Sequence, residues 1–349
     1  MEAGGGCRSR SFTRRCRKRP RDASFRATVI QPSKNELSET TRRQQSGRSR
    51  SNTAAAFHVG TFTALQELDL LDKLDLISCV SGGSVAGAYL ALNWGKQDVL
   101  KGLSDYLLTK SIAVSSIIGG ILDPFETRLE KLGASYDRDL FAGARLSALR
   151  DGPRIYLNAT NLATGNMFFF VAGKALAPGE DAGETMGEHE SGTANASNYP
   201  ISLAVAASSA FPPVFPPLRL NADIYPNSLS EYATLSDGGI YDNLGVNPLM
   251  RARRNPVDVC FVSDGGKPFA VSPHPTESGT IVLKEAINIM MEQVRGLQFA
   301  RLQFVVRREK GPETHLVFNR QPGRRGTAWR RRFRLAGGNR FKEIGGRRA

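Results

Sequence analysis

The 349-residue sequence predicts an α/β fold, and three observations predict it. Short apolar runs of strand length recur at residues 74–80, 154–162 and 257–262. Segments with helical spacing alternate with them, beginning with Phe57, Thr61, Leu65, Leu68 and Leu71 and ending with residues 280–302. One junction reads as a complete βα unit. It has a buried strand, a tight turn at Ser81-Gly82-Gly83, and a helix over residues 84–92 with Ala86, Gly87 and Ala88 where it would touch a sheet.

The rest of the body follows in order. Residues 96–141 read as mainly helical. Residues 154–162 and 167–171 read as two strands joined around Thr164-Gly165. Phe168, Phe169 and Phe170 fall in the second of these, and a core role is favoured over a membrane anchor. Residues 173–198 are rich in Gly, Glu, Ala and Ser and are expected to form a surface insertion. Residues 201–209 form a helix candidate that stops at Pro212-Pro213. Residues 218–235 lack a clear pattern, and a polar loop runs from Asp237 to Gly245. No internal repeat is present.

The net charge of +14 has to be located before it is used. Residues 1–52 hold 14 Lys/Arg against 4 Asp/Glu, a net of +10. Residues 305–349 hold 14 against 3, a net of +11, so residues 53–304 carry −7. This is an acidic body between basic ends, and the ends lack an apolar period, so disorder is the expectation for both. The domain reading is therefore a basic segment 1–52, a globular domain 53–304 and a basic segment 305–349. Apolar runs are too short for a membrane helix. No secretory leader is expected. Cys7, Cys16, Cys79 and Cys260 follow neither a zinc nor a disulfide spacing and suit a reducing compartment. No metal and no cofactor are expected.

The richest chemistry lies in Ser78-Cys79-Val80-Ser81-Gly82-Gly83-Ser84. A serine on a sharp strand-to-helix turn holds its Oγ clear of the sheet, and small neighbours are needed there. The following helix turns its positive end toward a developing oxyanion. The match to G-x-S-x-G is imperfect, because Cys79 replaces the leading Gly. Ser84 competes as nucleophile, but it would lie inside the helix, so Ser81 is favoured. The alternative for Ser81 is an ordinary helix cap.

A serine nucleophile needs a base. His58, His189, His274 and His315 occupy unconvincing settings, so a Ser-His-Asp triad is poorly supported. A carboxylate is the other choice. Asp237 begins Asp237-Gly238-Gly239, where two glycines permit a tight turn beside the carboxyl. Asp264 begins a second Asp-Gly-Gly with the same local pattern.

Together these motifs resemble the patatin-like phospholipase family over about residues 53–304. Val80-Ser81-Gly82-Gly83 resembles its nucleophile motif, and Asp237-Gly238-Gly239 its acid motif. The continuation Ile240-Tyr241-Asp242-Asn243-Leu244-Gly245 is similar too, and separates Asp237 from Asp264. Further likeness lies in Asn158-Ala159-Thr160-Asn161 and in Ala206-Ala207-Ser208-Ser209-Ala210-Phe211-Pro212. The stretch Ala54–Gly60 resembles the helix after the family's oxyanion loop. The resemblance implies an α/β/α sandwich with a mainly parallel central sheet. It also implies a Ser81–Asp237 dyad that hydrolyses phospholipids or other acyl lipids through an acyl-enzyme, with Gly82, Gly83, Gly238 and Gly239 as motif glycines. A cytoplasmic location with peripheral membrane contact is the matching expectation.

One departure matters. The family's Gly-rich oxyanion loop and the strand before it have no counterpart in Gln45-Ser46-Gly47-Arg48-Ser49-Arg50-Ser51-Asn52-Thr53. Losing one oxyanion donor typically costs roughly 10²–10³ in kcat. The second functional reading is therefore a patatin-fold lipid-binding protein with impaired catalysis. A third rests on the basic ends, where Arg14-Arg15-Cys16-Arg17-Lys18-Arg19 and Arg330-Arg331-Arg332 offer phosphate contacts. Trp329 and Phe333 are too few for a stacking surface, so a solvated tail is preferred and nucleic acid is not an expected partner.

Overall fold

The computed structural model describes residues 25–30, 50–109, 128–176, 183–251, 254–256, 259–266, 278–307 and 313–318. Strand β1 (Phe25–Ile30) comes first and precedes helix α1 (Arg50–Glu67). It lies alongside β2 (Leu76–Val80), so a strand does stand before α1 although the sequence offers no clear pattern for one. Every residue of β2 is buried, which explains why this run reads as continuously apolar rather than alternating. Helix α2 (Gly82–Leu92) starts directly after the turn and is apolar nearly all round, because sheet and helices enclose it. Helices α3 (Val99–Thr109) and α4 (Arg128–Tyr136) follow.

The expected pair of strands is a hairpin. Strand β3 (Arg154–Asn161) pairs antiparallel with β4 (Asn166–Ala172) across the Thr164-Gly165 turn, where Gly165 has φ +73°. The composition of residues 173–198 predicts a mobile surface insertion. Instead they carry β5 (Thr185–Glu188) and β6 (Gly192–Asn195), which extend the sheet beyond β4. Their composition is poor in apolar residues because these strands lie toward the sheet edge. Helix α5 (Ile201–Ser208) matches its expectation. The unpatterned stretch resolves into β7 (Leu218–Asn221) and β8 (Tyr232–Asp237). Then come β9 (Val259–Asp264), the long α6 (Gly279–Arg307) and β10 (Glu313–Phe318). Thus β1 and β10 both fall within the basic ends.

The described strands form two sheets, a three-stranded parallel one in the order β1-β9-β10 and a seven-stranded mixed one in the order β6-β5-β4-β3-β8-β7 with β2 also paired to β3, which corrects the expectation of a mainly parallel central sheet. Among the described residues, β1–β9, β9–β10 and β2–β3 pair parallel, while β3–β4, β3–β8, β4–β5, β5–β6 and β7–β8 pair antiparallel. The physical reason is connection length. Short links, such as those of β3–β4 and β5–β6, can only reverse the chain, whereas parallel neighbours need a long crossover.

Two apolar layers cover the sheet. One contains residues of α1 to α5 packed on Ile77, Cys79, Leu157, Phe168 and Phe170. The other gathers Leu76, Tyr156, Met167, Phe169 and Val171 beneath Leu244, Val246, Leu249 and Leu302 of α6. Phe168, Phe169 and Phe170 are therefore core, alternating between the two faces with the strand period. The glycine between Ala86 and Ala88 is there for contact. A Cβ on Gly87 would lie 2.2 Å from Cys79 Sγ. Gly87→Ala should lower stability in urea unfolding by about 1–3 kcal/mol, and adding Cys79→Ala should restore part of it. No helix among the described residues is long and apolar enough to cross a membrane.

Candidate active site

The site is made by strand register. Strand β4 occupies one edge of β3 from Ile155 to Asn161. The other edge is shared by two strands. Strand β2 runs parallel and ends with Val80 opposite Asn158. Strand β8 runs antiparallel and ends with Asp237 opposite Ala159. The C-terminal ends of β2 and β8 thus meet head-on at adjacent residues of β3, which brings Ser81 and Asp237 together.

Ser81 is buried and has φ +52° and ψ −125°, a region that L residues seldom occupy. Such strain costs on the order of 1–3 kcal/mol and persists only where the surroundings hold it. Ser208, at the end of α5, does the holding. The Ser81 N–H donates to the Ser208 carbonyl at 3.1 Å and to its Oγ at 3.0 Å. Although Ser81 stands where a helix cap would, its side chain caps nothing. The competing serine has another task. Ser84 is fully buried, with its hydroxyl 2.8 Å from Ser208 Oγ. The Ser208 hydroxyl donates its one proton to the Asn158 carbonyl at 2.6 Å, so Ser84 must be the donor to Ser208.

Asp237 is fully buried. Its N–H donates to the Ala210 carbonyl at 3.1 Å, and Thr160 Oγ1 donates to its carbonyl at 2.9 Å. The Gly239 N–H donates to Oδ1 at 2.7 Å. Burial pushes this carboxyl up to about 7, while the bonds from Gly239 and from the Ser81 hydroxyl pull the other way. A Cβ on Gly238 would lie 2.3 Å from the Asn158 carbonyl oxygen, so no other residue fits there without moving backbone. One on Gly239 would meet the flexible end of Met291, a softer obstacle. Gly82 and Gly83 form the first turn of α2, where the first N–H groups have no partner within the helix.

The loop after Asp237 is tied down on both sides. Asp242 is buried and accepts from the Asn247 N–H at 2.7 Å; burial raises it to about 6. Ser78 Oγ donates to the Gly245 carbonyl at 2.6 Å, and Gly245 needs its φ of +59° to make the turn. Asn243 Nδ2 donates to the Met291 carbonyl at 3.0 Å. Asn158 joins the parts, since its Nδ2 donates to Ser78 Oγ and to the Cys79 carbonyl, each at 3.0 Å. Asn158 and Ser208 stand in stretches that the sequence marks only by resemblance, without a role. Their signal was a polar side chain inside an apolar strand and at the end of an apolar helix.

The other candidates are placed elsewhere. Asp264 also accepts from a glycine, Gly266, at 2.8 Å, but Arg295 Nη1 neutralises it at 2.6 Å. His58 is fully buried with Nδ1 2.9 Å from Ser263 Oγ, and desolvation lowers it to about 3. His189 packs on Phe169 with ring centroids 4.8 Å apart. His274 lies outside the described residues, and the side chain of His315 is not among them. Of the stretch expected to hold the oxyanion loop, 45–49 lie outside the described residues and 50–53 begin α1. No cluster of metal-ligating residues occurs among the described residues. Cys79 and Cys260 are buried and are not joined in a disulfide.

The family model described as patatin, patatin-like phospholipase, matches residues 52–250. No curated protein matches the chain. Among solved structures, human GIVD cytosolic phospholipase A2 aligns over 69% of this chain with a TM-score of 0.43 and 13% identity. This chain spans only 43% of that protein. VipD from Legionella pneumophila aligns over 87% of this chain and 68% of its own, with a TM-score of 0.36 and 12% identity.

Proposed function

We infer the function from one premise: this chain belongs to the patatin-like phospholipase family. At family level that sets the class of chemistry as lipid ester hydrolysis. Within that class, Ser81 is the nucleophile and Asp237 its base. The observation that carries this is a strained, uncapped serine facing a buried carboxyl whose pKa is raised to about 7. Backbone strain maintained by a dedicated bond network points to a function that needs it.

The steps follow from the groups present. Ionised Asp237 accepts the Ser81 proton as Oγ attacks the ester carbonyl carbon. The oxyanion turns to the N–H groups of Gly82 and Gly83 at the positive end of α2. The bond to the leaving alkoxide breaks, and Asp237 returns the proton to it. Water then attacks the acyl-serine, gives its proton to Asp237, and the acid departs as Ser81 recovers a proton. The substrate is an acyl lipid, with a phospholipid as the family's own class.

The test is covalent. A fluorophosphonate should add to the purified chain, and peptide mapping should place the adduct on Ser81. Hydrolysis of a p-nitrophenyl acyl ester should rise about tenfold per pH unit below about 7 and level off above it, as Asp237 ionises. An intact chain that takes no adduct would favour the lipid-binding reading, and an adduct on Ser84 would displace Ser81.

A further inference from the structure

Helix α6 buries only a narrow stripe. Met291, Gln298 and Leu302 face inward. The opposite side stays in water yet is apolar. Leu283, Met290, Leu297 and Phe304 are 53, 66, 70 and 58% exposed and recur every seventh residue. Ala286, Gln293 and Ala300 are exposed too, each three residues after a large one. Val282 and Ile289 form a second exposed row with the same step. A lone surface helix has no use for a seven-residue apolar period on its outer face. A partner helix does, because large residues at one heptad position and small ones three further on form knobs and holes.

We propose that this ridge pairs antiparallel with the same ridge of a second copy of the chain. A single two-fold axis at position 295 satisfies the pattern. Phe304 then meets Ala286 of the second copy, Leu297 meets its Gln293, and Met290 meets its Ala300. Each large side chain faces a smaller or polar unbranched one, and symmetry repeats every contact, as a closed two-fold interface requires. Gly296 is exposed beside the axis and permits close approach of the two backbones.

Surface area and charge agree with this occupant. The six large apolar side chains named leave on the order of 600 Å² of apolar surface in water. A standard interface takes about 800 Å² from each side. Among the described exposed positions from 281 to 304, Arg301 is the only charge, which is little for capture by an anionic lipid surface. The Arg- and Gly-rich residues 319–349 offer few apolar groups to cover the ridge from within the chain. Pairing would also brace the Asp237 loop, since Met291 of this helix bonds Asn243 and abuts Gly239.

Sedimentation velocity on the full chain at tens of micromolar tests this. The parent should sediment as a dimer. Leu297→Glu should raise the dissociation constant about 100-fold or more with the circular dichroism spectrum unchanged, and its melting temperature should no longer depend on protein concentration. Leu162→Glu, at an exposed site far along the sequence, should leave the dimer intact. Should Leu297→Glu misfold, Ala300→Leu fills a hole on the exposed side and should weaken pairing alone. On oxidation Met290→Cys with Ala300→Cys should cross-link two chains beyond the parent's background, whereas Ala300→Cys alone should not. A parent that stays monomeric overturns the proposal, as does a dimer indifferent to Leu297→Glu. A monomer that floats with phosphatidylserine vesicles, and loses this with Leu297→Glu, would assign the ridge to lipid instead.

Discussion

Ser81→Ala is expected to abolish ester hydrolysis, a loss on the order of 10⁴–10⁶ in kcat, while leaving the fold intact. The substitution removes one oxygen atom. It keeps the backbone at φ +52°, so the strain remains, and it keeps the N–H bonds to Ser208. It also removes the hydroxyl that bonds Asp237. The melting temperature should therefore shift little. Ser84→Ala is the matched control. That hydroxyl donates to Ser208 and is buried, so its loss should cost about 0.5–1.5 kcal/mol of stability and leave turnover within about tenfold. The pair separates nucleophile from scaffold. Activity that survives Ser81→Ala and vanishes with Ser84→Ala would reverse the assignment.

Asp237→Asn should lose activity by about 10³-fold or more and yet become increasingly more stable than the parent as the pH rises. The shape of the side chain is kept, and the Gly239 N–H still finds an oxygen. The charge is what changes. The carboxyl titrates near 3.8 in an unfolded chain and near 7 in the folded one, because burial disfavours its charged form. Below pH 3.8 both states hold the proton and pH has no effect through this group. Between 3.8 and 7 the folded state holds a proton that the unfolded state has released, so stability falls with rising pH at up to about 1.4 kcal/mol per unit. Above 7 the loss is complete and constant. An amide titrates nowhere in this range. The stability difference between the variant and the parent should therefore grow by a few kcal/mol from pH 4 to pH 8, read by urea unfolding at several pH values. A difference that stays flat with pH would show that the Asp237 carboxyl is not raised.

These effects trace the same trade. The site holds a serine in a costly backbone conformation and a carboxyl in a costly environment, and it does so with bonds that serve no other purpose. Ser208 uses its single proton on Asn158 and its lone pairs on Ser81 and Ser84. Gly238 accepts a position against the Asn158 carbonyl that no side chain could share.

Much of the body was legible in the residues. The apolar run ending at Val80, the small-faced helix after it, the hairpin about Gly165 and the helix ending at Ser208 carry local signals of period, glycine and proline. Ser81 and Asp237 were legible as candidates because a turn glycine pair follows each. The short strands β5 to β7 were not. The edge strands β6 and β7 are largely unburied, and β5, though buried, carries only Met186 as a large apolar side chain, so none shows an apolar alternation and pairing with the existing sheet is what orders them. The sequence also could not separate Asp237 from Asp264 by local chemistry, because both precede two glycines. Arg295 makes that distinction, from 31 residues away along the chain.

The sequence alone, then, determined an α/β body with a serine on a strand-to-helix turn and an aspartate in a glycine turn, because these depend on neighbours within a few residues. Tertiary structure decided that they meet. Strands β2 and β8 share one edge of β3 from opposite directions, and register alone sets the Val80–Asn158 and Asp237–Ala159 pairs side by side. A slip of one residue in either strand would turn its side chains to the other face. That dependence on long-range pairing is the reason local patterns could single out the two residues but not set them side by side.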